Sequence, residues 1–192
     1  KQAAAAIGQC ELMYFYDKLF TEYNHTVAQL LITAPDIAEG GVRKENFHNT
    51  LERLLDLGAL PVINENDTIS TDEIEFGDND TLSATVAATV RAELLILLSD
   101  IDGLYDSDPH KNPDAKLISV VPELTEDILR LGGGAGSALG TGGMATKLHA
   151  AQIATAAGCE MVIANGQAPE LLYDIAAGKP VGTRFLTGRA NT

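Results

Sequence analysis

Residues 94–99 read Leu-Leu-Ile-Leu-Leu-Ser, with no polar alternation, and a strand of this composition calls for cover on both of its faces. Such strands belong to parallel sheets flanked by helices, so this run narrows the fold before any other residue is weighed. The neighbouring sequence supplies the flanking elements. Residues 1–23 have helical composition, with Ile7, Leu12, Phe15 and Leu19 spaced by threes and fours. A short β-like run over 26–33 precedes a helix over 44–57 that Gly58 ends, and a buried strand follows at 60–64. A loop over 65–77 leads to a helix over 80–92 and then to the apolar strand. The Asp-, Pro-, Gly- and Asn-rich residues 100–116 form an excursion, followed by a short strand near 117–121 and a helix near 125–131. A glycine-rich stretch over 132–143 opens a helix over 144–157, and strands at 160–165 and 181–186 flank a last helix at 169–177. Strands alternating with helices in this way predict a three-layer α/β/α sandwich around a mainly parallel central sheet, folded as one domain over residues 1–192.

Composition removes several classes of function. A net charge of −14 leaves no basic footprint for a nucleic acid or an anionic membrane surface, so neither is expected as a partner. No apolar run reaches the ~20 residues that span a bilayer, and the start of the chain lacks the charged, apolar and cleavage regions of a secretory signal. The two cysteines, Cys10 and Cys159, lie far apart and outside any CxxC, which predicts buried thiols in a reducing, cytoplasmic setting. The four histidines show no metal-ligand spacing, and no metal is assigned to protein ligands. An acidic chain that binds an anion must neutralise it locally, through a few lysines, Mg²⁺ or helix N-termini.

Three clusters offer such chemistry. Asn64-Glu65-Asn66-Asp67 follows a buried strand, where carboxylates can meet an ammonium group and amide N–H groups can meet carboxylates; a turn built on Asn and Asp is the plainer alternative. Gly77-Asp78-Asn79-Asp80 opens a helix, and one of its residues is accounted for as an N-cap. Two acids and an amide in succession exceed what capping needs. In Gly140-Thr141-Gly142-Gly143-Met144-Ala145-Thr146-Lys147 a glycine-rich loop enters a helix, which suits close approach of backbone N–H groups to phosphate, although a flexible connector has similar composition. A cation in the first turn works against the helix dipole, so Lys147 calls for a local reason, and reaching a transferring phosphoryl group is one. Ser99-Asp100, at the end of the apolar strand, sits where α/β sheets collect their ligands, while a tight turn using Gly103 explains most of the adjoining residues 102–105.

Taken together, VINENDT (62–68), EFGDNDTLSA (75–84), LLSDIDGLYDSDP (97–109) and GTGGMATKLHAA (140–151) stand in the order found in glutamate 5-kinases, a branch of the amino acid kinase family. KQAAAAIGQ (1–9) and IANG (163–166) resemble the same branch, so the likeness runs the length of the chain. The resemblance implies ATP-dependent phosphorylation of the γ-carboxylate of L-glutamate, the first step of proline biosynthesis, with Mg²⁺ in attendance. It places Asn64, Asp67 and Asn79 against glutamate with Asp78 nearby, and gives Asp80 the task of orienting catalytic lysines. It places Ser99 and Asp100 against the nucleotide and Thr141, Gly142, Gly143, Met144, Ala145, Thr146 and Lys147 around its phosphates, with Lys147 stabilising the transferring group. Homo-oligomerisation through helices near the start of the chain, and proline as a feedback inhibitor, are further implications. The family's VKLG-type and TSGA-type segments do not occur in the sequence, so the resemblance implies a domain that is incomplete at its N-terminal side, and the RNA-binding-like C-terminal domain of many members is not expected. Glu75 stands where the family often places a basic residue. Two alternatives remain open at this level: another family member of acetylglutamate kinase type, and a non-catalytic amino-acid-binding remnant of the fold.

Overall fold

The computed structural model describes residues 1–33, 36–37, 41–69, 79–109, 111–133 and 143–188. The chain divides into two compact units, Lys1–Leu82 and Ser83–Thr192.

The first unit holds α1 (Gln2–Thr21), β1 (Val27–Ile32), α2 (Val42–Asp56), β2 (Leu60–Glu65) and the start of α3 (Asn79–Thr89). β1 and β2 pair in parallel, Val27 opposite Leu60 through to Ile32 opposite Glu65. Phe47 and Leu51, one helical turn apart on α2, are the buried residues of that helix. Gly58 ends the α2 region at a positive φ of 71°, the left-handed conformation that suits glycine. The spacing in α1 does not produce a buried stripe: Ile7, Leu12, Phe15 and Leu19 are all exposed, together with Tyr14 and Tyr23. At about 100° per residue, Ile7 points well away from the other three, and the aromatic residues Tyr14, Phe15 and Tyr16 follow one another around the helix.

The second unit holds the rest of α3, β3 (Leu94–Ser99), β4 (Val120–Val121), α4 (Glu126–Leu131), α5 (Met144–Ala156), β5 (Glu160–Asn165), α6 (Leu171–Ala176) and β6 (Thr183–Phe185). Its sheet has the order β3-β5-β6-β4, with β3 parallel to β5, β4 parallel to β6, and β6 antiparallel to β5. The sequence therefore folds as an α/β protein with mostly parallel pairing, and the described strands form one two-stranded and one four-stranded sheet.

The strand that best meets the double-cover expectation is β5, not β3. Met161 and Ile163 join α5, Leu97, Leu104 and Phe185 in the larger core, while Val162 and Ala164 pack with Ile175 on the opposite face. Ala150, Ala151 and Ala154 of α5 are fully buried, and their small side chains let the helix approach the sheet closely. β3 has β5 as its described neighbour at one end of the sheet order; Leu97 is buried but Leu98 is 43% exposed. Gly182 turns the chain into β6 at φ 63°, and a Cβ there would run into the Ile163 carbonyl. Gly182→Ala is expected to cost about 3 kcal/mol, from strain and displacement of β5 together, read as a lowered urea midpoint at unchanged slope.

The thiols differ from the buried pair that the composition suggests. Cys159 is buried, but Cys10 lies exposed on α1. Burial, with the Glu160 carboxylate adding to it, pushes the Cys159 thiol above its ordinary value and disfavours the reactive thiolate. A thiol reagent at mildly alkaline pH is expected to label Cys10 rapidly and Cys159 only on unfolding, and equal labelling of both in the native protein would contradict this burial.

Candidate active site

In the first unit, β2 ends at Glu65 and the chain turns through Asn66–Ile69, so the polar cluster stands at the carboxyl end of a parallel strand. A cavity of about 310 Å³ opens there, walled by Asn64, Glu65, Asn66, Asp67 and Thr68 on one side and by Gly8, Gln9 and Leu12 of α1 on the other. The Asn64 amide is set in place by its neighbours: its Nδ2 donates to Gln9 Oε1 at 3.0 Å and its Oδ1 accepts from the Glu65 N–H at 3.0 Å. Gln9 Nε2 in turn donates to Gln29 Oε1 at 3.0 Å, which fixes the orientation of each amide in the chain. Asp67 is exposed at the mouth. The α1 contribution is the part of this cavity that composition and periodicity do not announce; its only signal is the string KQAAAAIGQ.

Asn79 and Asp80 form the first turn of α3, Asn79 exposed and Asp80 half-buried, where a carboxylate meets the positive end of the helix. Neither is among the residues walling the 310 Å³ cavity. Asp78 and Glu75 lie outside the described residues, as do Thr141 and Gly142.

In the second unit, a cavity of about 530 Å³ brings together Ser99 and Asp100 from the end of β3 with Gly143, Met144 and Lys147 from the start of α5. Gly143 is the N-cap of α5 and supplies no side-chain cap, so the first backbone N–H groups of the helix remain available to an anion. Its φ of −78° is one that any residue adopts, so glycine here serves close approach and not backbone freedom. Thr146 donates its hydroxyl to the Gly143 carbonyl at 2.6 Å, tightening the first turn. Ala145 faces a separate cavity of about 400 Å³ between α4 and α5. Lys147, buried with 6% exposure, is the one charged residue in the buried set of the described residues. A long cationic side chain held out of water in the first turn of a helix matches the placement that the sequence singled out as needing a reason.

The excursion after β3 supplies the remaining wall through Leu104, Tyr105, Ser107, Asp108 and Lys111. Asp108 and Lys111 form an ion pair at 3.1 Å. The Tyr105 hydroxyl donates to Asp102 Oδ2 at 3.3 Å, and burial together with that carboxylate pushes the phenol above its ordinary value, so it remains a donor. Leu104, Tyr105 and Met144 give this cavity an apolar portion, and the α5 start with Lys147 gives it a cationic, N–H-rich one. A nucleoside triphosphate has the two complementary parts, a flat base and an anionic phosphate chain.

The profile of the Amino acid kinase family matches residues 1–165. The glutamate 5-kinase of Clostridium perfringens is 54% identical over 190 residues, which cover 97% of this chain and 70% of the relative. That of Geobacter sulfurreducens is 51% identical over 98% of this chain and 50% of its own length. Among solved structures, the carbamate kinase of Giardia lamblia bound to AMP-PNP superposes with a TM-score of 0.67 at 18% identity, covering 97% of this chain and 72% of that one. The isopentenyl phosphate kinase of T. acidophilum gives a TM-score of 0.60 at 21% identity, covering 91% and 66%. At those identities the two structures speak to the fold alone.

Proposed function

The chain belongs to the amino acid kinase family, with the glutamate 5-kinases as its near relatives, and from that premise we propose that it transfers the γ-phosphoryl group of ATP to the γ-carboxylate of L-glutamate, giving an acyl phosphate. The observation that carries the reading is the 530 Å³ cavity, in which a buried lysine and the uncapped start of α5 stand beside the Ser99-Asp100 strand end.

The reaction makes limited demands on the protein. A carboxylate with an ordinary pKa near ~4.3 is ionised at neutral pH and needs no general base, in keeping with clusters that contain no histidine. What must be supplied is neutralisation of the phosphates and alignment of two anions. The N–H groups of Gly143, Met144 and Ala145 are proposed to hold the phosphates, with the rest of the loop and Thr146 shaping the turn, and Lys147 to meet the charge that develops on the transferring group. Thr141 and Gly142 extend the same loop in sequence and are proposed to serve it. Mg²⁺ fits this arrangement: it is carried mainly by phosphate oxygens with few protein ligands, and Asp100 places a hard carboxylate in the same cavity. When bound, the ion neutralises part of the phosphate charge.

Asn64 and Asp67, with Asp78 and Asn79, are proposed to recognise the amino-acid end of glutamate, the carboxylates for its ammonium group and the amides for its α-carboxylate. Asn64 already commits hydrogen bonds to Gln9 and Glu65, so it presents a single oriented N–H. Asp80 completes the proposed catalytic set, as the carboxylate that orients lysine charge. The reading takes residues 1–192 as one catalytic domain working in the cytoplasm. Proline, as an amino acid, is proposed to compete at the glutamate cavity. Exposed Ile7, Phe15 and Leu19 on α1, with Tyr23 just after it, support self-association, which sedimentation should detect as a particle larger than one chain.

The direct experiment is hydroxylamine trapping of the acyl phosphate from glutamate, ATP and Mg²⁺. Glutamate-dependent hydroxamate is the expected result. ATP turnover that answers to N-acetylglutamate in place of glutamate would move the chain to another branch of the family, and glutamate binding without turnover would make it a binding remnant.

A further inference from the structure

Residues 103–105 wall the nucleotide-side cavity, and side chains from neighbouring strands hold Leu104 and the adjoining Asp102. Thr183, the first residue of β6, is fully buried. Its hydroxyl accepts a hydrogen bond from the Leu104 N–H at 2.8 Å and donates one to the Ile118 carbonyl at 2.6 Å. Leu104 lies near the start of the excursion that leaves β3 and Ile118 just beyond its end, and the two also bond to each other, Ile118 N–H to the Leu104 carbonyl at 2.8 Å. Gly103 lies so close to β6 that a Cβ on it would come within 2.5 Å of Thr183 Oγ1. From β5, Asn165 Nδ2 donates to Asp102 Oδ1 at 2.8 Å, while its own Oδ1 accepts from the Gln167 N–H at 3.0 Å, which sets the amide one way round.

A fully enclosed β-strand position in an apolar core is ordinarily served by valine, which has the shape of threonine without a hydroxyl to satisfy. Here the two hydrogen bonds of the hydroxyl tie the start of the excursion, at Leu104, to the segment just after it, at Ile118, and Gly103, Leu104 and Tyr105 of the excursion are cavity wall. We infer that Thr183 and Asn165 are positioning residues for the nucleotide: they touch no substrate, and through Leu104 and Asp102 they hold the wall 103–105 at the depth that the nucleotide requires. The inference rests on the reading of the 530 Å³ cavity as the ATP site.

The test is calorimetric titration of the full chain with Mg·ATP and, separately, with L-glutamate. Thr183→Val leaves the Leu104 N–H and the Ile118 carbonyl without their partner, and is expected to weaken ATP binding about tenfold with glutamate binding unchanged. Thr183→Ser restores the hydroxyl and is expected to restore ATP affinity. Asn165→Ala, at a less enclosed site, is expected to weaken ATP binding about threefold, again without effect on glutamate. A folded Thr183→Val protein with the parent's ATP affinity overturns the inference. So does equal weakening towards both ligands, which is what a purely structural role would produce. If Thr183→Val fails to fold, the Asn165→Ala titrations decide by the same criterion. A parent that binds no ATP removes the nucleotide reading and this inference with it, an outcome distinct from variants that bind as well as a binding parent.

Discussion

Replacing Lys147 with alanine is expected to lower the rate of hydroxamate formation by about 10²–10³-fold at saturating ATP and glutamate, because a preorganised cation facing developing charge contributes on that scale. The position argues for this more strongly than the motif does. In the first turn of α5 a lysine opposes the helix dipole, and with 6% exposure it also forgoes most of its hydration. The cavity adds a use for the charge, since Lys147 shares its wall with Ser99, Asp100 and the start of α5. Lys147→Met separates the alternatives, since it keeps the buried aliphatic stem and removes only the ammonium group. If the charge is catalytic, the methionine protein should be as slow as the alanine protein while still unfolding cooperatively in urea. Parent-like turnover in either variant would end the assignment of Lys147 to the transferring group.

Asp67→Ala is expected to raise the KM for glutamate by about 10–100-fold while moving the KM for ATP by no more than the scatter of the assay, the size of effect expected from losing a charge-assisted hydrogen bond. Asp67 suits the experiment because it is exposed at the mouth of its cavity and the pairing of β2 with β1 does not use its side chain. The substitution should therefore leave the fold intact, and Asp67→Asn should recover only part of the loss, keeping size but not charge. Equal rises in both KM values would make Asp67 a structural residue of the turn.

Much of this organisation can be read from residues alone, and the reasons differ from place to place. The strands at 94–99 and 160–165 are legible because unbroken apolar runs leave few other conformations open, yet their relative depth is not. LLILLS is the more hydrophobic string, while EMVIAN is the more enclosed strand, since its neighbours in the sheet lie on both sides. Position in a sheet is a property of pairing, which no local window contains. The helix of residues 2–21 is legible as a helix, but its apolar spacing points to a core face that the structure leaves exposed. The polar clusters at strand ends are visible because turn-forming and ligand-binding residues share a chemistry, and for the same reason their use is open until a cavity is seen. The roles of Gln9, Thr183 and Asn165 are illegible for a different reason. Each acts across a long sequence separation, on residue 64, on residues 104 and 118, and on residue 102 respectively, and single-sequence periodicity carries no such information.

The parallel register that sets Leu94 against Glu160 and Ser99 against Asn165 has a kinetic consequence. Bringing these strands together closes a loop containing the whole excursion, β4, α4 and α5, and that closure entropy precedes most of the contacts that offset it. In the first unit, Val27 finds Leu60 across about half that length of chain, with α2 between them. On dilution from denaturant, the β1–β2 pair should therefore gain amide protection earlier than the β3–β5 pair. The β3–β5 ladder that carries Ser99 and Asn165 would then form late, so ATP-binding competence would be among the last properties of the chain to return.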